Sequence, residues 1–124
     1  MVVVPVRAEA IKMARDWLGE VLGGWGQDAY IAKLAVSELV TNVLKHTDCG
    51  TATVRVVRGS GGTVVEVFDA SAVLPVAGNG DLLDEGGRGL AMVGALVKDW
   101  GAEPRDGGKV VWVLLPGDGS GAAV

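Results

Sequence analysis

The stretch SELVTNVLKHT, residues 37–47, places three polar side chains at four-residue intervals in a segment that otherwise has the pattern of a buried helix. These side chains belong to Glu38, Asn42 and His46. At about 100° per residue, the three lie within about 80° of one another around the helix axis. The apolar residues of the same helix occupy the next part of its circumference: Ala32, Val36, Leu39, Val40 and Val43. The polar column therefore follows the edge of the buried stripe, where a helix would line the wall of a cleft.

The same column also fits a helix edge that is simply solvated by water. A Glu and an Asn four residues apart suit an exposed helix border, and a His near a helix C-terminus interacts favourably with the helix dipole. We expect the far side of the helix to face solvent, with Lys33, Ser37, Thr41 and Lys45. The column alone leaves both interpretations open, so other motifs must decide between them.

Two further helices flank this stretch in the sequence pattern. Apolar residues recur with the period of an amphipathic helix over residues 7–22, and Gly23 and Gly24 are expected to end that helix. The helix that carries the column is predicted over residues 27–46, with Asp28 in its first turn, where a negative charge suits the dipole. A third helix is predicted over residues 89–100.

Three strands complete the predicted elements. Alternation of apolar residues predicts strands over residues 51–58 and 63–69, joined by a four-residue hairpin loop, and a continuous apolar run predicts an interior strand over residues 110–115. Helices and strands do not alternate strictly, which indicates an α+β fold with helices on one face of a mixed, mostly antiparallel sheet. The length of 124 residues predicts one domain over residues 1–116, followed by a flexible tail over residues 117–124.

Composition excludes several classes of function. A formal net charge of −4 without a basic run argues against direct binding of nucleic acid. One Cys and one His are too few for a structural zinc site, and the single Cys suits a reducing compartment. No apolar run approaches the roughly 18 residues that span a bilayer. We therefore expect a cytoplasmic protein that does not enter a membrane.

The glycine-rich segment GGRGL, residues 86–90, opens the third predicted helix. Glycines let backbone N–H groups approach an anion, a helix N-terminus adds unpaired donors, and the Arg88 guanidinium matches a phosphate. A plain glycine-rich loop is the alternative. The P-loop pattern is absent, and Met92 stands where a dinucleotide fingerprint requires glycine. Residues 73–87 show no sustained period, and an unstructured segment of that length in a compact domain is often a functional lid.

Asp69 ends a predicted strand on the same face as Val65 and Val67, which is the expected core side. An ionised carboxylate at such a position needs a partner, because an unpaired buried charge is costly. One interpretation is a turn-forming Asp. The other is an acceptor for the exocyclic amine of adenine, a site that would reject guanine because guanine presents a carbonyl oxygen to the carboxylate.

Taken in chain order, these segments resemble the ATP-binding domain of the gyrase, Hsp90, histidine kinase and MutL (GHKL) superfamily. ELVTNVLKHT (38–47) is similar to its N box, VFDAS (67–71) to its first glycine box, and GGRGLAMV (86–93) to its second. DWGAEPRDGGKVVWVLLP (99–116) looks like the closing segment of the stand-alone anti-sigma factor serine kinases of actinobacteria. The resemblance covers residues 5–116 and implies a two-layer α/β sandwich, the Bergerat fold, with ATP between the helix layer and a lid over residues 73–86.

The resemblance also implies roles for individual residues. Asn42 would bind Mg²⁺ through its amide oxygen, Glu38 would act as general base, and Asp69 would recognise adenine, whereas His46 would be structural. The remaining nucleotide-binding positions implied by the match are Ser71, Val73, Gly87, Arg88, Gly89 and Leu90.

The chain departs from the family pattern at two places. The first glycine box is usually Asp-x-Gly-x-Gly, whereas Ser71 and Val73 stand at the two glycine positions here. Val110 stands where a Thr often precedes the Val-Trp of the last strand. These departures bear on how closely adenine approaches the site and on how the lid hinges.

Two functions are therefore predicted. The first is an ATP-dependent serine/threonine protein kinase of the anti-sigma type, which would phosphorylate an anti-sigma antagonist in a partner-switching pathway. The second is a catalytically silent module that binds ATP or ADP and sequesters a protein partner, an antagonist or a sigma factor. A domain without a ligand is a more distant third. Related kinases form dimers, so a homodimer is also expected.

Overall fold

The computed structural model of the chain describes residues 1–5, 7–46, 50–71 and 93–116. Within these ranges, the complete helices and strands are, in chain order, β1 (Val2–Pro5), α1 (Glu9–Gly24), α2 (Tyr30–His46), β2 (Thr51–Gly59), β3 (Gly62–Asp69), β4 (Asp99–Arg105) and β5 (Gly108–Leu114). Residues 93–96 are helical as well. For the helix end at residue 46, the backbone is described but the His46 side chain is not.

The five strands form one sheet in the order β1-β2-β3-β5-β4, and every neighbouring pair is antiparallel. Alternate residues of the strands face the helices and form a core with them. The fully buried members include Leu18 and Leu22 of α1, Val36 and Val40 of α2, and Val54, Val65 and Val113 of the sheet. One helix layer on one sheet face confirms the predicted α+β fold and its two-layer arrangement, with every strand pairing in the described residues antiparallel.

Both described helices follow the predicted apolar period. In α1, Ala10, Ala14, Leu18 and Leu22 recur every four residues and are fully buried. The helix ends two residues later than predicted, at Gly24, and Gly26 follows in the left-handed region at φ 71°.

Asp28 does not lie in the first turn of α2, as the sequence predicted, but precedes it. Its Oδ1 accepts a hydrogen bond from the Tyr30 N–H at 3.2 Å. A short side chain that binds a backbone N–H two residues on is a common way to start a helix, and α2 therefore begins at Tyr30 and not at residue 27.

The hairpin between β2 and β3 is tighter than the predicted four-residue loop. Gly59 and Gly62 are paired across the two strands, so the turn contains only Ser60 and Gly61. Gly62 has φ 123°, a conformation that side-chain-bearing residues rarely adopt. The glycines therefore belong to the ends of the ladder and not to a longer loop.

The prediction of a helix extending to residue 100 was wrong at its C-terminal end. The described helical residues end at 96, and Asp99 begins β4, which pairs with β5. The sequence of β4, DWGAEPR, carries Gly, Pro and charged residues that are unfavourable in strands. As an edge strand, β4 tolerates Pro104 because one side of its backbone needs no partner. The short edge strand β1 was not predicted either.

Candidate functional site

The polar column of α2 lies at the border of the core. Glu38 and Asn42 are half-buried, one helical turn apart, while Leu39 and Val43 beside them are buried. Helix α2 packs directly against β3, the strand that ends at Asp69. The structure thus brings the helix with the predicted base and metal ligand onto the strand with the predicted purine-recognising residue.

The hydroxyl groups behind the column are bound to the helix itself. Ser37 Oγ donates to the Lys33 carbonyl oxygen at 2.7 Å, and Thr41 Oγ1 donates to the Ser37 carbonyl oxygen at 2.6 Å. Both residues are half-buried, whereas the sequence predicted them on the solvent side. Their hydroxyls satisfy backbone carbonyls, so among the described side chains of the polar column, Glu38 and Asn42 are the polar groups that α2 offers to a ligand.

Asn42 carries a buried polar atom on α2. Its side-chain oxygen, Oδ1, is buried and has no hydrogen-bond partner in the part of the chain that is described. Leaving a buried acceptor unsatisfied costs roughly 1–3 kcal/mol, so such atoms usually have a ligand or a functional reason. An amide oxygen is a ligand that hard divalent cations accept.

The Asn42 amide oxygen is chemically compatible with a magnesium ion. Mg²⁺ is usually held by one or two protein oxygens and takes its other ligands from water and phosphate groups. Residues 1–5, 7–46, 50–71 and 93–116 contain no cluster of three or more His, Cys, Asp or Glu that would hold a metal by itself. A single amide oxygen supplies one ligand position, and a metal ion bound to it would take its other ligands from water or from a bound molecule.

Asp69 is buried at the end of β3, with 1% of its surface exposed, as its strand position predicted. The partner that the sequence required but did not identify is Lys109. Its Nζ donates to Asp69 Oδ1 at 2.9 Å, and the side chains are 7% and 1% exposed. The Ser71 backbone N–H donates to the same oxygen at 2.8 Å. The carboxylate is therefore held by the opposite strand and by the segment that follows β3.

Lys109 reaches Asp69 because the two residues are direct partners in the antiparallel register of β3 and β5. The signal was present in the sequence, since Lys109 has the same strand parity as Val111 and Val113, which are buried. A lysine on the core face of an interior strand requires an anionic partner. With the register known, Asp69 is the residue opposite.

Gly108 allows the start of β5 to lie close to the end of β3. A Cβ atom at this position would collide with the backbone carbonyl oxygen of Asp69 and the Cα of Ala70. The absence of a side chain therefore sets the spacing of the two strands beside the Asp69–Lys109 pair.

The remaining parts of the predicted site and the predicted tail lie outside the described residues. This applies to the lid over residues 73–86, to the tail over residues 117–124, and to five predicted nucleotide-binding residues: Val73, Gly87, Arg88, Gly89 and Leu90. In the described ranges, no helix has the length and apolar character needed to cross a membrane.

Comparisons with known proteins identify the family to which the sequence is similar. The family described as the histidine kinase-like ATPase domain has a sequence model that matches residues 4–115. The chain is also similar to an uncharacterized protein of Streptomyces coelicolor, with 42% identity over 74 residues, which cover 56% of this chain and 70% of that protein. The family match spans both layers of the fold and all of the predicted site.

Proposed function

Because the chain belongs to the histidine kinase-like ATPase domain family, we propose that it is a regulatory protein that binds Mg-ATP beside α2 and transfers phosphate to a serine or threonine of a partner. Family membership itself supports an ATP-binding regulatory domain. The observation that carries the finer proposal is the buried Asn42 Oδ1, which has no partner among the described residues. We take residues 1–116 as the single ATPase domain and residues 117–124 as its tail.

Asn42 would bind Mg²⁺ through this oxygen. When bound, the metal would supply charge neutralisation for the phosphate oxygens of ATP. The chain's own contribution is to hold the amide at a fixed place on α2, one turn from Glu38. Binding would also satisfy an acceptor that is otherwise costly to bury.

The Asp69 carboxylate would accept a hydrogen bond from the exocyclic amine of adenine. The carboxylate lies at the end of β3, and Lys109 and the Ser71 N–H hold its Oδ1. A 6-oxo purine such as guanine would place its carbonyl oxygen against the carboxylate, so that two acceptors would face each other. We therefore propose ATP over GTP as the ligand.

Glu38 would accept the proton of the attacking hydroxyl. It lies one turn before Asn42, is half-buried and carries a carboxylate, which is the group that positions a hydroxyl nucleophile in phosphoryl transfer. Gly87, Arg88, Gly89 and Leu90 would hold the triphosphate, with Ser71 and Val73 at the nucleotide as well. Arg88 would contribute a fixed positive charge.

The proposed substrate protein is an anti-sigma antagonist, in a cytoplasmic partner-switching pathway of the kind found for stand-alone anti-sigma kinases. Support comes from the segment 99–116, which resembles the closing segment of that subgroup and forms β4 and β5. A homodimer is part of this proposal. The sigma factor itself is the alternative protein partner.

A second candidate is a module that binds ATP, transfers nothing and captures its partner in a nucleotide-dependent way. The observation in its favour is the sequence after Asp69, where Ser71 and Val73 replace both glycines of the usual motif. Under this alternative, partner capture survives replacement of Glu38. Under the kinase proposal, phosphorylation does not.

The test is calorimetric titration of ATP, ADP and GTP, with and without Mg²⁺, followed by incubation of Mg-ATP with candidate antagonists from the same genome. We expect ATP and ADP to bind, GTP to bind poorly, and Mg²⁺ to strengthen ATP binding in wild type. In Asn42→Ala, the strengthening of ATP binding by Mg²⁺ should disappear. Lys45→Ala is the matched control, because Lys45 is exposed on the same helix. Absence of ATP binding in wild type would refute the proposal, and binding without phosphoserine or phosphothreonine would leave the second candidate.

A further inference from the structure

Lys109 brings a positive charge into the core beside Asp69. Among the ion pairs formed by described residues, the Asp69–Lys109 pair has both side chains almost fully buried, whereas the other pairs have at least one substantially exposed side chain. A buried ion pair is weak evidence for a role in stability, because well-packed apolar residues of similar volume often stabilise a fold as well or better. The neighbouring core positions of the same strand pair are occupied by apolar residues, with Val67 opposite Val111 and Val65 opposite Val113.

The contacts of the pair fix the carboxylate. Lys109 Nζ and the Ser71 N–H both donate to Oδ1, at 2.9 and 2.8 Å, from two different segments of the chain. A carboxylate held by two donors on one oxygen has a defined rotation about its side-chain bonds. Charge-assisted hydrogen bonds such as the one from Lys109 are also the stronger kind. Lys109 and the Ser71 N–H therefore determine together where the second oxygen of Asp69 lies, and Lys109 supplies the charged donor.

From these contacts we infer that Lys109 is a positioning residue for purine selectivity: it holds the Asp69 carboxylate in the orientation that accepts a 6-amino group. The inference rests on the proposed binding of ATP and adds a residue that neither the family motifs nor the sequence pattern assigned. Lys109 acts through Asp69 and need not contact the nucleotide. Its loss lets the carboxylate rotate or recruit water, and the amine then loses its acceptor.

The experiment compares ATP with purine riboside triphosphate, which lacks the 6-amino group, and with GTP, by calorimetric titration. In wild type we expect ATP to bind roughly 5- to 150-fold more tightly than the analogue, the range expected for loss of one buried hydrogen bond. In Lys109→Met that ratio falls to about one, since the amine contact is lost. Lys109→Arg keeps the charge and a donor, and so retains most of the ratio. The matched control is Lys98→Met, at an exposed lysine just before β4.

The outcomes separate this inference from the proposed function. If wild type binds no ATP, both fail. If wild type binds ATP and its analogue equally, ATP binding stands, and the roles of Asp69 and Lys109 fail together. If folded Lys109→Met keeps the wild-type ratio, the inference for Lys109 alone is overturned.

Circular dichroism establishes which variants are folded. Should Lys109→Met not fold, the comparison of Lys109→Gln with Lys109→Arg decides, because the shorter, neutral Gln lacks both the charge and the reach of lysine. A ratio that is lost in Gln and kept in Arg supports the inference, and equal ratios in the two variants overturn it.

Discussion

Gly108 lies so close to Asp69 that a Cβ atom at position 108 would collide with the Asp69 carbonyl oxygen. The contact is between backbones, so neither partner can move aside as a flexible side chain would. It also lies next to the residue that pairs with Asp69, since Lys109 follows Gly108 directly. Strand spacing and the geometry of the buried carboxylate are therefore coupled at this point of the sheet.

The first prediction is that Gly108→Ala destabilises the fold and weakens ATP binding together. Relief of the collision requires β5 to shift away from β3, and overpacking of this kind typically costs about 1–3 kcal/mol. Urea unfolding measures the first effect and calorimetric titration the second. Gly61→Ala is the control, since a Cβ at Gly61 would meet nothing within 4 Å. Equal stability of the two variants would show that the strands have room to adjust.

The second prediction concerns the strength of the Asp69–Lys109 pair. Removing one partner leaves the other charge buried without compensation, so Asp69→Asn and Lys109→Met should each lower the free energy of unfolding by about 3–5 kcal/mol. The double variant should be destabilised by much less than the sum, because neither charge remains. Urea unfolding of all four proteins gives the coupling energy.

A surface pair at a comparable place in the sheet is the control for this cycle. Arg55 and Glu66 are opposite each other on β2 and β3, with Nε and Oε1 3.6 Å apart, and Arg55 is 56% exposed. Arg55→Met should cost no more than about 1 kcal/mol, as expected for an exposed pair. Additive effects of the two substitutions in the buried pair would contradict the prediction.

The third prediction is that Asn42→Ala separates binding from stability. The variant removes a buried oxygen that lacks a partner among the described residues, and it places a better helix former in α2. We therefore expect the free energy of unfolding without nucleotide to stay the same or to rise, while the Mg²⁺ dependence of ATP binding disappears. Thermal unfolding with and without Mg-ATP measures both effects. A loss of stability above about 1 kcal/mol without nucleotide would indicate that Asn42 has a structural role instead.

The helix layer and the central hairpin could be predicted from the sequence because their burial follows a short period. In α1, the four-residue spacing of Ala10, Ala14 and Leu18 indicates the buried stripe without any knowledge of the partner. The alternation that ends in Asp69 likewise predicted a carboxylate on the core face. These features depend on neighbours within about two turns or a few strand residues.

The features that were missed depend on the pairing between strands, which the pattern of a single segment does not reveal. Lys109 is 40 residues from Asp69, and only the β3–β5 register makes it the partner. Strand β4 is held by pairing with β5 and not by its own residues, which include Gly101 and Pro104. Local propensity cannot reveal an edge strand whose stability comes from its neighbour.

The last prediction tests phosphoryl transfer itself. Glu38→Gln keeps the size of the side chain and removes its ability to accept a proton, so phosphorylation of the antagonist should slow by about 10²–10⁴-fold, the usual contribution of a general base. ATP affinity should change little, because the proposed metal ligand Asn42 and the purine acceptor Asp69 are intact. Radiolabel transfer from Mg-ATP measures the rate, and titration measures the affinity. Glu20→Gln, at an exposed residue of α1, is the control. Phosphorylation at the wild-type rate in Glu38→Gln would remove Glu38 from the reaction, whereas a parallel loss of ATP affinity would place its role in binding.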